Sequence, residues 1–345
     1  MAKAVGNGAF DFSQSLKTLL AGRSLSLDEA RAFVHAAAQS LDEIQLAALL
    51  TALSAKKETA QELAGAALGM RELAIPVMVS DRARLVDTCG TGGDALGSFN
   101  VSTAAAIIAA AAGARVAKHG NRSASGRVGS ADILESFGVP LTKDPEEAAR
   151  LLDTLGIVFF FAPAFHPAMQ KVASLRRRLG VRTLFNFLGP LANPAQVKRQ
   201  VLGVPEARLL KEMPRALSLL GVERALVVFG EEELDEISIS GVTHVAEVQE
   251  GHVFHSQISP EDLGVSRAPL SAVTPKDFAE AREMFLQALS GKGPCGDMAA
   301  MNAAAALYAA GVSGSLKEAM TKAREALREG AAMAKLEAWT KAGRC

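Results

Sequence analysis

Residues 87–132 read DTCGTGGDALGSFNVSTAAAIIAAAAGARVAKHGNRSASGRVGSAD. Each of the two glycine-rich loops in this stretch follows a short strand-like run, and an Asn-Val-Ser-Thr segment between them opens an apolar helix. Strands that alternate with helices are typical of an α/β sheet. Glycine-rich loops and helix N-termini also present backbone amides to anions, so the stretch predicts a site for a multiply phosphorylated ligand.

The segments after Pro76 continue the α/β pattern. Residues 236–257 are typical of antiparallel strands with a turn at Glu250-Gly251, and the tail is typical of helices. Strands separated by helix-length segments predict a parallel or mixed sheet that is covered on both faces. Short apolar or β-branched runs predict further strands at 84–87, 115–117, 157–161, 200–204 and 224–229.

The first 75 residues predict helices alone. In a capping box, a hydroxyl and a carboxylate satisfy each other's backbone amides at a helix N-terminus. We therefore expect an α/β protein with a small all-helical domain (residues 1–75, joined by helices near 166–192) and a larger α/β domain (residues 76–345) with a central, mostly parallel mixed sheet. Capping boxes are predicted at Ser26–Glu29, Ser40–Glu43, Thr59–Glu62 and Ser315–Glu318.

The composition excludes several classes of protein. Lys and Arg together number 37, as do Asp and Glu, so the charge does not indicate a general nucleic-acid or membrane surface. The longest apolar run, residues 104–114, is too short to span a bilayer, and the N-terminus has no signal-peptide core. Cys89, Cys295 and Cys345 have neither metal nor disulfide spacing. We expect a soluble, cytoplasmic protein with reduced thiols.

The first glycine loop, Gly90-Thr91-Gly92-Gly93-Asp94, suits close approach of the backbone to an anion, because glycine has no Cβ and can adopt φ > 0. Asp94 cannot bind phosphate without a metal, so its expected role is to bind sugar hydroxyls or to place a cation. An ordinary tight turn is the alternative for this motif alone. A dinucleotide-binding fingerprint is disfavoured, because the G-x-G-x-x-G spacing is missing.

The segment Asn100-Val101-Ser102-Thr103 begins a helix that we predict to run from about Ser102 to Ala112. The amides and hydroxyls at its N-terminus would stabilise a phosphate through the helix dipole. Ordinary N-capping by Asn or Ser is the alternative. Its closeness to the first glycine loop favours the phosphate site.

The second loop, KHGNR at 118–122, follows a strand and is expected at the edge where open α/β sheets bind ligands. Lys118 and Arg122 offer positive charge for phosphate, and Asn121 offers a neutral donor and acceptor. His119 is a candidate general base, although a structural role is the more common one for such a histidine. Residues 123–130 predict a flexible loop of small residues that is suited to closing over a ligand.

The motifs GTGGD, NVST, KHGNR and GSAD, in this order and spacing, resemble those of the anthranilate phosphoribosyltransferases. HPAMQKVASLRRRLGVRTLFNFLGPLANP at 166–194 and LDEIS at 234–238 resemble two further segments of that family. The N-terminal helices and residues 302–311 agree as well, so the likeness covers nearly the whole chain. It implies a fold like that of nucleoside phosphorylases and phosphoribosyltransferases. It also implies transfer of the phosphoribosyl group from 5-phosphoribosyl-1-pyrophosphate to the amino group of anthranilate, giving N-(5-phosphoribosyl)anthranilate and pyrophosphate in tryptophan biosynthesis.

The resemblance also implies the residues of the site. Anthranilate would contact Gly90, Asn121 and Arg176, with Arg176 facing its carboxylate. Of two Mg²⁺ ions per subunit, Ser102 and Glu236 would hold one, and Asp235 with Glu236 the other. A second copy of the chain would pair through the helical domain in a homodimer. The phosphoribosyl donor would contact Gly90, Gly93, Asp94, Ser98, Asn100, Val101, Ser102, Thr103, Lys118, His119, Gly120, Asn121, Arg122, Ser123, Ala124, Ser125, Gly126 and Ser130.

The residues alone leave some of these assignments open. Asp235 and Glu236 follow a strand-like run and are oxygen ligands of the kind that Mg²⁺ shares with substrate phosphates, but residues 231–236 also read as an exposed acidic loop. The three arginines at 176–178 are typical of a solvated helix face, and the sequence does not choose among them. Residues 182–194 are interpreted as packing beneath the site, without contacts to ligands.

The implied reaction requires no general acid or base. An aniline-type nitrogen is largely unprotonated at pH 7 and can attack the anomeric carbon directly. We therefore expect catalysis by positioning and by electrostatic, metal-assisted stabilisation of the leaving pyrophosphate.

Two alternative functions remain. A pyrimidine nucleoside phosphorylase would cleave a nucleoside with phosphate and without Mg²⁺, whereas a non-catalytic nucleic-acid-binding relative should have a basic groove.

Two positions depart from the family pattern. Glu233 stands where the family usually has Gly before the Leu of LDE, and Phe229-Gly230 stands where it has His-Gly. If the turn requires φ > 0 at Glu233, the geometry of the metal loop is in question.

Overall fold

The computed structural model describes residues 10–82, 84–92, 97–123 and 128–343. The strands are β1 (Leu85–Thr88), β2 (Arg115–Gly120), β3 (Ile157–Phe161), β4 (Arg199–Gly203), β5 (Arg224–Gly230), β6 (Thr243–Gln249) and β7 (His252–Ile258). The helices are α1 (Phe12–Leu20), α2 (Leu27–Gln39), α3 (Glu43–Lys56), α4 (Ala60–Glu72), α5 (Val101–Ala111), α6 (Ser130–Ser136), α7 (Pro145–Leu155), α8 (Ala162–Phe165), α9 (Gln170–Leu179), α10 (Leu184–Leu188), α11 (Leu209–Leu219), α12 (Phe278–Leu289), α13 (Gly293–Ala309), α14 (Leu316–Arg328) and α15 (Ala331–Ala342).

The strands form one sheet in the order β3-β2-β1-β4-β5-β6-β7. Strands β1 to β5 are parallel, and β6 and β7 are antiparallel. The chain moves outward from β1 to β3 and then crosses back to place β4 on the other side of β1. The strand order therefore reverses between β1 and β4, and open α/β sheets bind ligands at the carboxyl ends of strands at such a switch point.

The two faces of the sheet pack against different helices because successive strand side chains point to opposite sides. Val86 and Val201 belong to a core that they share with α5 and α13, both rich in alanine. Leu202 and Val227 belong to a core that they share with the N-terminal helices. The N-terminal helices thus pack directly on the sheet, and the predicted fold of a helical domain beside an α/β domain is confirmed.

The later helices α9 and α10 pack against the N-terminal bundle, α9 on α2 and α3, and α10 on α3 and α4. The sequence predicts that helices near 166–192 join the helical domain, and that assignment stays a prediction. The division of the chain at residue 75 stays a prediction.

Two of the four predicted capping boxes are confirmed, those of Ser26 with Glu29 and Thr59 with Glu62. At the third, Ser315 accepts from the amide of Glu318 as predicted, but the Glu318 carboxylate accepts from the amide of Gly314 instead of that of Ser315. The predicted box at Ser40–Glu43 is wrong. Helix α2 continues to Gln39, so Ser40 ends that helix, and Asp42 caps α3 in a box with Gln45.

The predicted strands are confirmed, with two differences. Strand β2 extends to Gly120 because it pairs with β3 up to Phe161, so Lys118 and His119 are strand residues rather than loop residues. The C-terminal hairpin turns at Glu250-Gly251 as predicted, but its first strand begins only at Thr243. In the described part of the chain, no helix has the length and apolarity needed to cross a membrane.

Candidate active site

The candidate site lies at the switch point of the sheet. The first glycine loop leaves the carboxyl end of β1, and the amide of Thr91 donates to the carbonyl of Gly203 at the end of β4, at 3.0 Å. A short helix-lined crevice is bordered here by Thr88, Gly90, Ser102 and Glu236. The loop that the sequence singles out therefore lies where the topology favours a ligand.

Asp235 and Glu236 reach this crevice from the connection between β5 and β6. Asp235 Oδ2 accepts a hydrogen bond from the amide of Gly92 at 3.0 Å. Glu236 Oε1 accepts from the amide of Ser102, in the first turn of α5, at 3.0 Å. A carboxylate in this position is favourable by about 0.3–1 kcal/mol when exposed, through the helix dipole. The acidic pair thus joins the glycine loop to the N-terminus of α5.

This close approach requires one glycine and favours a second. A Cβ on Gly90 would lie 2.8 Å from Asp235 Oδ2. A Cβ on Gly203 would overlap the backbone carbonyl of Asp235. The backbone of Asp235 therefore fits only against a glycine at the end of β4, whereas a Cβ on Gly90 would require the Asp235 carboxylate to shift.

Glu233 adopts the left-handed conformation, with φ of 62°. Its amide donates to the carbonyl of Gly230 at 2.9 Å, and the amide of Gly230 donates to the carbonyl of Leu234 at 2.9 Å. This is a three-residue hairpin loop, whose last position normally requires φ > 0 and favours glycine. The turn before Asp235 does require φ > 0, so Glu233 carries backbone strain directly before the two residues that the sequence predicts as metal ligands.

Asn100 precedes α5, but its side chain does not cap the helix. Its Nδ2 donates to the carbonyl of Val128 at 2.9 Å, and its buried Oδ1 has no hydrogen-bond partner among the described residues. The alternative of ordinary capping by Asn100 is therefore excluded. The nearby amide of Ser102 is paired instead with Glu236, from a distant part of the chain.

Lys118 is buried beneath the N-terminus of α5, with 2% of its surface exposed. Its Nζ donates to the carbonyl of Thr88 and lies 3.3 Å from the hydroxyl of Ser102. The positive charge adds to that of the helix dipole. The structure thus brings Lys118, Ser102 and Glu236 together at one end of α5.

His119 is buried on β2, and its Nδ1 lies 2.8 Å from the carbonyl of Gly189. Its ring centroid is 5.1 Å from that of His166. Burial lowers the pKa of His119 to about 4, and burial together with the neighbouring His119 lowers the pKa of His166 to about 3. Both rings are neutral at pH 7. Asp87, which accepts from the amide of His119, has its pKa raised to about 6 by burial.

The second loop is held by acidic residues of α6. Arg122 pairs with Asp132 at 2.7 Å and with Glu135 at 2.8 Å, and these hydrogen bonds, led by that to Glu135, raise its pKa. The amide of Ser123 also donates to Asp132. Arg122 therefore has carboxylate partners in the structure, and its predicted phosphate contact stays a prediction.

The other residues that are predicted to contact the phosphoribosyl donor lie around the two glycine-rich loops. Ser130 Oγ donates to the carbonyl of Asn121 at 3.2 Å. A Cβ on Gly120 would lie 2.5 Å from that hydroxyl, so this strand end also needs glycine. Ser98 lines a neighbouring cleft of about 610 Å³ between α6 and the start of α12. Val101 and Thr103 are buried in α5. The predicted residues that lie outside the described ranges are Gly93, Asp94, Ala124, Ser125 and Gly126.

Arg176 is the arginine of the 176–178 run that turns inward. Arg177 and Arg178 are exposed, whereas Arg176 is half-buried, and its Nε has no hydrogen-bond partner in the part of the chain that the structure describes. Burial lowers the pKa of Arg176, and the charge of Arg182 lowers it further. Helix phase explains the choice, because Arg176 lies four residues after the buried Val172 and so on the same face.

Arg182 belongs to the segment that the sequence analysis interpreted as packing beneath the site, and the structure places it against the first glycine loop. Arg182 Nη1 donates to the carbonyl of Gly92 at 2.7 Å, in the first glycine loop. Its guanidinium also lies 5.1 Å from the ring centroid of Phe187. No local signal in the sequence marks Arg182, which stands two residues after the helix-ending Gly180, because its contact is with a distant part of the chain.

The oxygen atoms that meet at the switch point are suitable ligands for a hard divalent cation. Asp235, Glu236 and the hydroxyl of Ser102 supply oxygen ligands, as Mg²⁺ prefers. Among the residues that the structure describes, no group of three or more His, Cys, Asp or Glu side chains could hold a metal by itself. A cation here would therefore share its coordination with oxygens of a phosphorylated ligand, which is the usual arrangement for Mg²⁺.

Comparisons with known proteins agree with this geometry. The helical bundle domain of a glycosyl transferase family matches residues 13–74, and the a/b domain of that family matches residues 82–333. The chain is 46% identical over 326 residues to the anthranilate phosphoribosyltransferase of Thiobacillus denitrificans, covering 94% of this chain and 95% of the relative.

Solved structures are similar over the same extent. The anthranilate phosphoribosyltransferase of Thermus thermophilus superposes with a TM-score of 0.90 at 43% identity, covering 96% of this chain and 99% of that one. The enzyme from Saccharomyces cerevisiae, solved in complex with PRPP and Mg, superposes with a TM-score of 0.87 at 28% identity, covering 96% and 98%.

Proposed function

This chain belongs to the anthranilate phosphoribosyltransferase family, and from that premise we propose how its residues divide the two substrates and the metal. It is a transferase of tryptophan biosynthesis, which moves the phosphoribosyl group of 5-phosphoribosyl-1-pyrophosphate to the amino group of anthranilate. The observation that carries the proposal is the meeting of the glycine loop, the N-terminus of α5 and the Asp235-Glu236 pair at the switch point.

The phosphoribosyl donor binds along this crevice. The amides of the first glycine loop and of α5 suit its phosphates, since both are oriented dipoles that need no reorganisation. The buried charge of Lys118 beneath Ser102 strengthens the same positive potential. The second loop, from Lys118 to Gly126, and Ser130 complete the donor site.

Mg²⁺ accompanies the donor, as the name of the yeast complex states for that relative. We assign one ion to Ser102 and Glu236 and a second to Asp235 and Glu236. Bound Mg²⁺ would offset the negative charge that develops on the leaving pyrophosphate. The protein itself fixes the carboxylates, because their amide partners at Gly92 and Ser102 hold them at the crevice edge.

Anthranilate binds beside the donor at Gly90 and Asn121, with its carboxylate facing Arg176. Its amino group needs no general base. The neutral, buried ring of His119 agrees with this, since its Nδ1 is already engaged by the carbonyl of Gly189. The rate then comes from holding the nitrogen against the anomeric carbon and from stabilising the leaving group.

Arg176→Ala tests the acceptor site. We expect the KM for anthranilate to rise about 10- to 100-fold, as for loss of a charged hydrogen bond, with a much smaller change in the KM for the donor. Steady-state kinetics with each substrate varied in turn would measure both constants, and Arg177→Ala is the matched exposed control. Equal losses for both substrates would remove Arg176 from the acceptor site.

The reaction itself is tested by the loss of anthranilate fluorescence in the presence of 5-phosphoribosyl-1-pyrophosphate and Mg²⁺. Loss that requires the donor and is stopped by EDTA supports the proposal. A folded protein that consumes no anthranilate would contradict it. Phosphorolysis of thymidine and a DNA shift at low salt would then test the two alternative functions.

We also propose a cytoplasmic homodimer that forms through the helical domain. Leu20 on α1 and Ile44 on α3 are exposed apolar side chains of this bundle, at 72% and 82% exposure. Exposed apolar surface of this kind is typical of protein contacts. Light scattering of the wild type and of Ile44→Glu would test the dimer, and a monomeric wild type would contradict it.

A further inference from the structure

Arg182 connects the helical side of the molecule to the first glycine loop. It lies between α9 and α10, and its Nη1 donates to the carbonyl of Gly92 at 2.7 Å. The amide of the same Gly92 donates to Asp235 at 3.0 Å. The guanidinium lies near the ring of Phe187, which restricts its orientation. Arg182 is thus held at the crevice by a contact that occupies only one of its nitrogens.

The other two nitrogens of Arg182, Nε and Nη2, are buried and have no hydrogen-bond partner within the described ranges. Leaving such donors unpaired in the interior is unfavourable, because they lose water without a replacement. Arg208, near the same phenylalanine, also has one buried nitrogen, Nη1, without a partner in the described chain, but it differs in its ion pairs. It has carboxylate partners in Glu206 at 2.7 Å and Glu58 at 3.2 Å. The unpaired donors of Arg182 therefore indicate an anionic ligand.

The neighbourhood of Arg182 also lacks a carboxylate in contact. Burial lowers the pKa of Arg182, against the opposing charges of Glu206 and Asp235, and none of the carboxylates of the described chain forms an ion pair with it. Arg176 is close enough for the two positive charges to affect each other. Two half-buried guanidiniums without a shared anion repel each other, and a carboxylate between them would relieve this.

We propose that Arg182 is a second residue that binds the carboxylate of the acceptor, sharing it with Arg176 through its Nε and Nη2 donors. Its Nη1 keeps the hydrogen bond to the carbonyl of Gly92. Arg182 thereby connects binding of the acceptor to the first glycine loop, where the phosphoribosyl donor would bind. The inference rests on the proposed function and adds a residue to its acceptor site. Planar guanidiniums suit this role because they bind carboxylates through two parallel hydrogen bonds.

The alternative is a tether that only holds Gly92 in place, and the KM values distinguish the two. If Arg182 only holds Gly92 in place, its removal disturbs the first glycine loop. The KM for the phosphoribosyl donor should then rise at least as much as that for anthranilate. Removal of a carboxylate ligand should raise the KM for anthranilate about 10- to 100-fold and that for the donor far less. The variants are Arg182→Gln and Arg182→Lys, with the exposed Arg177→Gln as the matched control.

A double-variant cycle gives a second readout. If Arg176 and Arg182 share one carboxylate, the effects of Arg176→Gln and Arg182→Gln on the KM for anthranilate should not multiply in the double variant. Effects that multiply, an unchanged anthranilate KM in Arg182→Gln, or a donor KM that rises as much, would each overturn the inference. Urea unfolding verifies that each variant is folded, and Arg182→Lys provides the comparison if the Gln variant is not.

The two levels of proposal fail in different ways. Wild-type protein that consumes no anthranilate would contradict the proposed function. Wild-type protein that does consume it, with Arg182→Gln behaving as Arg177→Gln does, would contradict only the role of Arg182.

Discussion

Glu233 bears a cost that a glycine would avoid. Its φ of 62° lies in the left-handed region, where a residue with a Cβ is strained by about 1–2 kcal/mol. We expect Glu233→Gly to raise the free energy of unfolding by about 1 kcal/mol, since glycine's added freedom when unfolded offsets part of the relief. Urea unfolding would measure the change.

Glu233→Ala is the matched control for this prediction, because it removes the charge but keeps the Cβ. If Ala stabilises the protein as much as Gly does, repulsion within residues 231–236 is the cause and backbone strain is not. Turnover measured against Mg²⁺ concentration then tests the effect of the charge alone. Both variants lack the Glu233 carboxylate, so both should require more Mg²⁺ for half-maximal turnover if that carboxylate attracts the metal.

The buried histidines predict loss of stability in acid. The folded pKa values of His119 and His166, about 4 and about 3, lie below the ordinary 6.5, so the unfolded chain binds protons first as the pH falls. Their contribution is complete above pH 6.5 and is lost below it, at up to about 1.4 kcal/mol per pH unit for each proton. Asp87 acts oppositely between its ordinary 3.8 and about 6, because the folded chain binds its proton first.

His166→Gln should therefore reduce the pH dependence of the free energy of unfolding by up to about 1.4 kcal/mol per pH unit between pH 6 and pH 4. Urea unfolding at several pH values would measure the slope. His252→Gln, on the exposed β7 edge, is the control. A slope equal to that of the wild type would show that His166 does not remain neutral in the folded protein.

At the scale of elements, the N-terminus of α5 depends on a carboxylate from the β5–β6 connection. Asp235→Asn combined with Glu236→Gln should lower turnover about 10²- to 10³-fold, since it removes the charges that we propose to assist pyrophosphate release. The free energy of unfolding should fall by only about 1 kcal/mol, because the neutral side-chain oxygens still accept from the amides.

Turnover against Mg²⁺ concentration and thermal unfolding would measure the two effects, with Glu231→Gln as a nearby exposed control. An unchanged Mg²⁺ profile in the double variant would place the metal elsewhere. A large loss of stability would mean that the pair mainly holds the fold together.

The sequence predicted the elements well where local signals decide them. The strands and the turn at Glu250-Gly251 follow from short-range patterns, and so does the start of α5 within one residue. The end of β2 depends on its pairing with β3, and the start of α3 depends on where α2 ends. The boundaries predicted from the sequence were wrong at both places. Local chemistry also could not reveal Arg182, whose contact at Gly92 is 90 positions away in the chain.

At the scale of the molecule, the switch point explains why the site residues come from distant segments. The reversal of strand order places the ends of β1 and β4 side by side, and the Asp235 connection crosses over Gly203. Arg182 reaches the first glycine loop from the helical part of the molecule. The family motifs predicted Arg176 and the residues of the α/β part, whereas the position of Arg182 followed only from the packing of the helical part.

At the proposed site the phosphoribosyl donor and its metal would join separate segments of the chain, so their binding should stabilise the whole fold. A ligand at 100 times its Kd adds about 2.7 kcal/mol to the free energy of unfolding if it binds only the folded chain. We expect this gain for 5-phosphoribosyl-1-pyrophosphate with Mg²⁺ and a much smaller one when EDTA replaces Mg²⁺ at the same donor concentration. Thermal unfolding would measure both. The Asp235→Asn, Glu236→Gln variant should show only the smaller, metal-independent gain, and an equal gain with and without Mg²⁺ in the wild type would mean that donor binding does not require the metal.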